Sequence, residues 1–252
     1  MKEDSQHYKT RKAFFDSLVT LYGRNVVMEV LQEPSLTIHK LHLSTSNRPD
    51  GVIAKMVALA EEKKIEIAYH DKAALSRISK NAKQDQGVAI DIVAENYRPI
   101  ASLHETCGDR CRLLALDGIQ NPQNLGMIIR SAAAGTIDGI ILPLHNSAKI
   151  SPLVIKASAG TLFKIPIFTC KHLDEAFEYL KAYQIYMLSS HAKESLFDLN
   201  MAAKSVFVLG NESEGVSEAI AQHCNNAVQI PMRRGVESLN VAVTAALIAF
   251  LP

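Results

Sequence analysis

Between Val206 and Phe250 the chain makes one arrangement twice. Val206-Phe-Val-Leu is an apolar run that breaks at the polar turn Gly210-Asn-Glu-Ser-Glu-Gly215, and a short amphipathic segment follows. A second apolar run breaks at Ile230-Pro-Met-Arg-Arg-Gly-Val-Glu-Ser-Leu-Asn240 and opens a long apolar segment, Val241 to Leu251. Strand–loop–helix in tandem confines such a chain to an α/β architecture. In open sheets of this kind, ligands bind in the loops at the carboxyl ends of the strands. These two loops are therefore the candidate site.

A phosphate-binding reading of the first loop fails on one residue. Gly210 and Gly215 have the spacing of the two P-loop glycines, but Val216 and Ser217 follow where Lys and Ser/Thr are needed. The bland alternative is a turn with a helix cap at Ser213 or Ser217. At the second loop, Ser238 or Asn240 could cap the final helix. That helix is nearly all Ala, Val, Leu, Ile and Phe, so it must be buried on most faces. It falls short of the roughly 20 residues that span a membrane.

The first residues are polar and no apolar core follows them, so no signal peptide is expected. Of the four cysteines only Cys107 and Cys111 are close in sequence. That argues against a disulfide framework and for a reducing, cytoplasmic setting. His104 beside this pair suggests a metal, but no fourth ligand stands at zinc-site spacing. Net charge is +1, with +2 on residues 1–98 and −1 on the rest, so any RNA contact must come from local patches. Lys72, Arg77, Lys80 and Lys83 form one such run, and Lys9, Arg11 and Lys12 another. A solvated helix face explains either run equally well.

Helical spacing appears at Lys12–Leu21, Asn25–Leu31, Val52–Lys63 and Lys72–Ser79. Strands are expected at Ile38–Leu43, Ile65–Tyr69 and Gly87–Val93. This gives an α/β module over residues 1–98, followed by a pattern-free linker at 99–110. From 111 to 252, strands at Arg112–Leu116, Ile137–Leu142, Ile165–Thr169 and Ile185–Ser189 alternate with helices at Leu125–Ala134, from Pro152, and at Leu173–Ala182. A mostly parallel sheet follows. The first strand–helix turn, Asp117-Gly-Ile-Gln-Asn-Pro-Gln-Asn-Leu-Gly126, is not Gly-x-Gly-x-x-Gly, which argues against a dinucleotide site.

Three segments, Asn124-Leu-Gly-Met-Ile-Ile-Arg130, Leu209-Gly-Asn-Glu-Ser-Glu-Gly215 and Ile230-Pro-Met…Ser238-Leu-Asn-Val241, resemble in order and spacing the three motifs of the SpoU/TrmH family of RNA ribose 2′-O-methyltransferases in the SPOUT superfamily. Lys156-Ala-Ser-Ala-Gly160 is similar to a further family segment. The first module resembles the ribosomal-protein-like RNA-binding domain of many members, with Tyr22-Gly-Arg-Asn25 and Gln86-Gly-Val-Ala89 at its usual ends. The resemblance implies a deep trefoil knot in the C-terminal domain, one of the rare exceptions to unknotted topology.

It also implies S-adenosyl-L-methionine as cofactor, held at Leu209, Gly210, Gly215, Ile230 and Leu239, and Arg130, Asn124, Glu212, Ser238 and Asn240 as the catalytic set. Arg130 is the family's proposed activator of the ribose hydroxyl. A protonated guanidinium has no acceptor, so fixing a phosphate and steadying an alkoxide suit it better. Asn124 and Asn240 would bond the motif loops and ribose, Glu212 would orient Arg130, and Ser238 would hold substrate or cap the last helix. A homodimer is implied, with no membrane partner, and Arg233 and Arg234 are placed to meet RNA backbone. Ribosomal RNA is favoured over tRNA by the first module together with the lack of the C-terminal extensions that some tRNA-acting members use. An RNA-binding protein without catalysis and an unrelated small-molecule enzyme are the alternatives.

Overall fold

A computed structural model describes residues 14, 18–34, 36–80, 83–94, 96–211 and 213–252. The chain divides into two compact units, 1–95 and 96–252.

The first unit is a four-stranded sheet made of β1 (Leu18–Tyr22), β2 (Ile38–Ser44), β3 (Glu66–His70) and β4 (Val88–Val93), in the order β1-β4-β2-β3. β2 and β3 are parallel, and β4 runs antiparallel to both β1 and β2. Helices Arg24–Gln32, Gly51–Glu62 and Lys72–Ser79 accompany the sheet. Their buried Val27, Val30, Leu31, Ile53, Met56 and Leu75 join Leu41, Leu43, Ile90 and Ile92 among the buried side chains. Asp71 caps the third helix, its Oδ1 accepting from Ala74 N at 2.7 Å.

Sequence spacing predicts a helix over Lys12–Leu21. Leu18–Tyr22 is instead a strand, and the remainder of that stretch lies outside the described residues. A run such as Leu-Val-Thr-Leu-Tyr fits a pleated, half-buried surface, and pairing with β4 decides the matter. The two ends of the module meet: Gly23 N donates to Val88 O, and Arg24 N to Gln86 Oε1 at 2.9 Å.

The second unit holds an eight-stranded sheet. Its strands are β5 (Tyr97–Pro99), β6 (Cys111–Leu116), β7 (Gly139–Pro143), β8 (Ile167–Cys170), β9 (Gln184–Leu188), β10 (Glu194–Ser195), β11 (Lys204–Leu209) and β12 (Asn226–Gln229). The order is β10-β12-β9-β11-β6-β7-β8-β5, and every pairing is parallel. Both faces are buried, as a parallel sheet requires. Leu114, Leu116, Ile140, Phe207 and Leu209 pack with helices Pro122–Ala134 and Val241–Ala249. The alternate residues Leu113, Ala115, Ile141, Val206 and Val208 pack with Leu173, Ala176 and Phe177.

Residues 99–110, patternless in sequence, carry a 3-10 turn (Ile100–Ser102) and a helical turn (Leu103–Thr106), with Ile100 and Leu103 buried in the second unit's core. The helix expected over Leu173–Ala182 is a 3-10 run, Leu173–Tyr179. Its anchors Leu173 and Ala176 are three residues apart, the spacing that a 3-10 helix eclipses.

Candidate active site

The loop after β11 is folded tightly on itself. Asn211 Oδ1 accepts from Ser213 N at 2.8 Å and Glu214 N at 2.9 Å, and Gly215 N donates to Asn211 O at 3.0 Å. Gly210 is pressed against the returning strand: a Cβ there would lie 1.9 Å from Gly215 C and 2.1 Å from Val216 N. Gly215 has φ +72°, with open space where its side chain would be. Ser217 stands at the start of helix Glu218–Ala221 without a side-chain cap bond.

Asp117 fastens this loop to the end of β6. Its N donates to Leu209 O at 2.8 Å, and its Oδ2 accepts from Ser217 N at 2.7 Å. The turn after β6 also meets the turn after β7. Gly118 (φ +69°) packs near Asn211 and Asn146, Gln120 Nε2 donates to Asn146 Oδ1, and Ala148 N donates to Ile119 O at 2.8 Å. The Ser147 hydroxyl is buried there and makes no hydrogen bond. The carboxyl ends of β6, β7 and β11 thus form one cluster.

The loop after β12 reaches the same region through an asparagine pair. Asn121 caps helix Pro122–Ala134, accepting from Gln123 N and Asn124 N, with Pro122 in the first turn. Asn124 in that turn is 7% exposed, and its Oδ1 accepts from Asn240 Nδ2 at 3.2 Å. Asn240 in turn caps helix Val241–Ala249, its Oδ1 accepting from Ala242 N at 2.9 Å. The cap is therefore Asn240 and not Ser238, because Asn240 is the residue directly before the first helical one. The two helices pack together with no room to spare at Gly135, where a Cβ would lie 2.1 Å from Ala249 O.

The remaining expected residues are more dispersed. Leu209 is buried, and Ile230 packs half-buried against the same core. Ser238 and Leu239 are exposed, Leu239 at 37%. Arg130 is exposed on its helix, six residues beyond Asn124 and so about 9 Å further along the axis. Glu212 lies outside the described residues, as do Lys9, Arg11 and Lys12. The sequence reading gives Asp117 and Asn211 no role, although a polar side chain just past an apolar strand was the available signal for both.

Cys107 and Cys111, the one pair close in sequence, are joined by a local disulfide, and Cys170 and Cys224 are free. Burial and neighbouring acids push the Cys170 thiol up to about 12. Among the described residues no group of three or more His, Cys, Asp or Glu could hold a metal, and no helix is long and apolar enough to cross a membrane.

The first unit carries a row of polar side chains across its sheet. Thr20 Oγ1 donates to Asp91 Oδ1 at 2.6 Å, His42 Nε2 is 3.0 Å from Asp91 Oδ2, and His42 Nδ1 is 3.0 Å from His70 Nε2. Burial pushes the Asp91 carboxyl up, but the bonds from His42 and Thr20 outweigh it and hold its pKa below the usual value. Burial, with His42 alongside, lowers the pKa of His70.

Comparison with known proteins gives a consistent picture. Residues 112–250 match the model of the SpoU rRNA Methylase family. Residues 20–98 match a model described as RNA 2′-O ribose methyltransferase substrate binding. The chain is 34% identical to the 23S rRNA (guanosine-2′-O-)-methyltransferase RlmB of Xylella fastidiosa, over 76% of this chain and 78% of that protein. It is 28% identical to RlmB of Neisseria meningitidis, over 90% of this chain and 92% of the relative. The SpoU methyltransferase AviRb from Streptomyces viridochromogenes, solved with AdoMet, shares the fold at TM-score 0.62 and 21% identity, covering 98% of this chain and 91% of that one.

Proposed function

This chain belongs to the SpoU rRNA methylase family, and we propose that it transfers a methyl group from S-adenosylmethionine to a ribose 2′-hydroxyl of RNA, with ribosomal RNA as its substrate. The observation that carries this is the Asn124–Asn240 hydrogen bond, which ties the helix bearing Arg130 to the loop after β12. Ribosomal RNA is favoured by the relatives along nearly the whole chain, RlmB being named for 23S rRNA. Transfer RNA is the second reading.

The residues present fit the cofactor. Loops at the carboxyl ends of parallel strands are where an α/β sheet holds ligands. Here the loop after β11 offers main-chain polar groups at Gly210 beside the open space at Gly215, and Ile230 offers apolar surface. Leu209, Gly210, Gly215, Ile230 and Leu239 would hold the adenosyl group. When bound, it supplies an electrophilic methyl on a sulfonium.

The ribose hydroxyl is a poor nucleophile while protonated, so the chain must align the oxygen and favour loss of its proton. Arg130 is exposed and always charged, suited to grip a phosphate and stabilise a developing alkoxide. The Asn124–Asn240 hydrogen bond ties together the first turns of the two helices. Glu212 would orient Arg130, and Ser238, free of the capping role, is left to contact the ribose. Arg233 and Arg234, both exposed, suit phosphate contacts. Residues 20–98 would present the RNA.

A homodimer is supported by apolar side chains left exposed on the packed helix pair: Met127, Val243 and Phe250. The deep knot is supported by membership of the family. A cytoplasmic site of action goes with a ribosomal substrate. The test is incubation with methyl-labelled S-adenosylmethionine and separated ribosomal and transfer RNA. Label entering ribosomal RNA is expected, and label confined to transfer RNA would shift the substrate to the second reading.

A further inference from the structure

The first unit contains a cavity of about 460 Å³ between the end of β2, helix Gly51–Glu62 and Tyr69 of β3, within the range of roughly 300–1,000 Å³ usual for small-ligand sites. We propose that it receives one unpaired base of the RNA substrate, stacked on Tyr69. This rests on the RNA-methyltransferase reading above and adds a subsite to it.

Leu43, Ile53 and Val57 give the cavity an apolar floor. Tyr69 lines it while remaining 60% exposed, a large ring that the fold itself does not cover. A flat π face over an apolar recess is what an unstacked base needs, whichever base it is. The lining residues at the end of β2 are already fixed: Ser44 N donates to Gly87 O at 2.9 Å, Thr45 N to His70 O at 2.8 Å, and Asn47 Nδ2 to Gly87 O at 2.7 Å. A preformed wall lowers the ordering cost of binding.

Charge at the mouth fits the same occupant. Exposed Arg48 lies between the lining residues Asn47 and Pro49. A cation beside the mouth suits the phosphate next to an inserted base. The Glu61 carboxylate on the lining offers only acceptors, so it can take a hydrogen bond from a base amine or from the N3–H of uracil.

The test uses the full chain and short unpaired RNA oligomers of adenosine, cytidine or uridine, read by fluorescence anisotropy, with methyl-donor affinity followed in parallel by calorimetry. Oligomers of all three nucleosides are expected to bind. Tyr69→Ala should weaken binding by about 5- to 100-fold, while Tyr69→Phe stays within about twofold of the parent. Ala58→Trp, which fills the cavity, should weaken binding like Tyr69→Ala, and donor affinity should be unchanged in every variant. If Ala58→Trp does not fold, the Tyr69 pair decides alone.

Parent-like RNA binding by Tyr69→Ala, in a protein that still methylates RNA, would overturn the subsite and leave the enzyme reading intact. A changed sedimentation coefficient for Ala58→Trp with parent-like RNA binding would assign the cavity to a protein contact instead. A parent chain that neither binds nor methylates RNA would overturn both readings.

Discussion

Asn240→Ala removes two interactions with one substitution. The side chain caps helix Val241–Ala249 through Ala242 N and donates to Asn124 Oδ1. Losing the cap costs about 1 kcal/mol, and losing a hydrogen bond to a nearly buried amide costs about 1 kcal/mol more. Together they destabilise the second unit by about 2 kcal/mol, which for a unit of this size lowers its Tm by about 4–8 °C. Asn240→Asp keeps the capping oxygen and loses the donor, so it should retain about half of the lost stability. The assay is thermal unfolding followed by circular dichroism and calorimetry. It is completed by a double-mutant cycle with Asn124→Ala, for which a coupling of about 1 kcal/mol is expected. A Tm shift for Asn240→Ala under about 1 °C, or a coupling near zero, would refute the reasoning.

Arg130→Ala should abolish nearly all methylation while donor affinity, measured by calorimetry, is kept; turnover within about threefold of the parent, a barrier change of about 0.7 kcal/mol, would make Arg130 structural only. Gly210→Ala places a methyl against backbone 1.9 Å away, so the loop must shift, at a typical overpacking cost of about 1–3 kcal/mol; donor binding should fall at least tenfold, about 1.4 kcal/mol, and an unchanged isotherm counts against the loop as the cofactor cradle. Asp91 has a folded pKa below its unfolded one, so its stabilisation is present above the ordinary carboxyl value of 3.8 and is lost as pH falls through the lowered folded value. The lowered His70 acts in the same sense below its ordinary 6.5, so stability should rise with pH across both windows. Denaturant unfolding from acid to neutral pH should show this rise, and Asp91→Asn should flatten its acid limb; an unchanged limb would remove Asp91 as the cause.

The alternation of strands and helices was legible because it is local: apolar runs end at glycine-bearing turns, and helical spacing resumes after them. The loops after β11 and β12 were legible as strand-to-helix turns for the same reason. Leu18–Tyr22 was not, because its helix-like spacing is overruled by pairing with β4, about seventy residues away. The Asp117–Ser217 bond was hidden too, since its partners are 100 residues apart and meet only once β6 and β11 lie side by side. Ser238 and Asn240 are both good capping residues, and only the start of the helical backbone at Val241 chooses between them. The cavity beside Tyr69 depends on how helix Gly51–Glu62 stands from β2 and β3, which no periodicity encodes.

The most direct measurement is chemical. Ribosomal RNA labelled by the protein and S-adenosylmethionine is digested with alkali, which cuts beside every free 2′-hydroxyl. A ribose 2′-O-methyltransferase leaves the label in an alkali-resistant dinucleotide. Label released in mononucleotides would place the methyl on a base, and no label in any RNA would mean that the loops around Gly210 and Asn240 serve another chemistry.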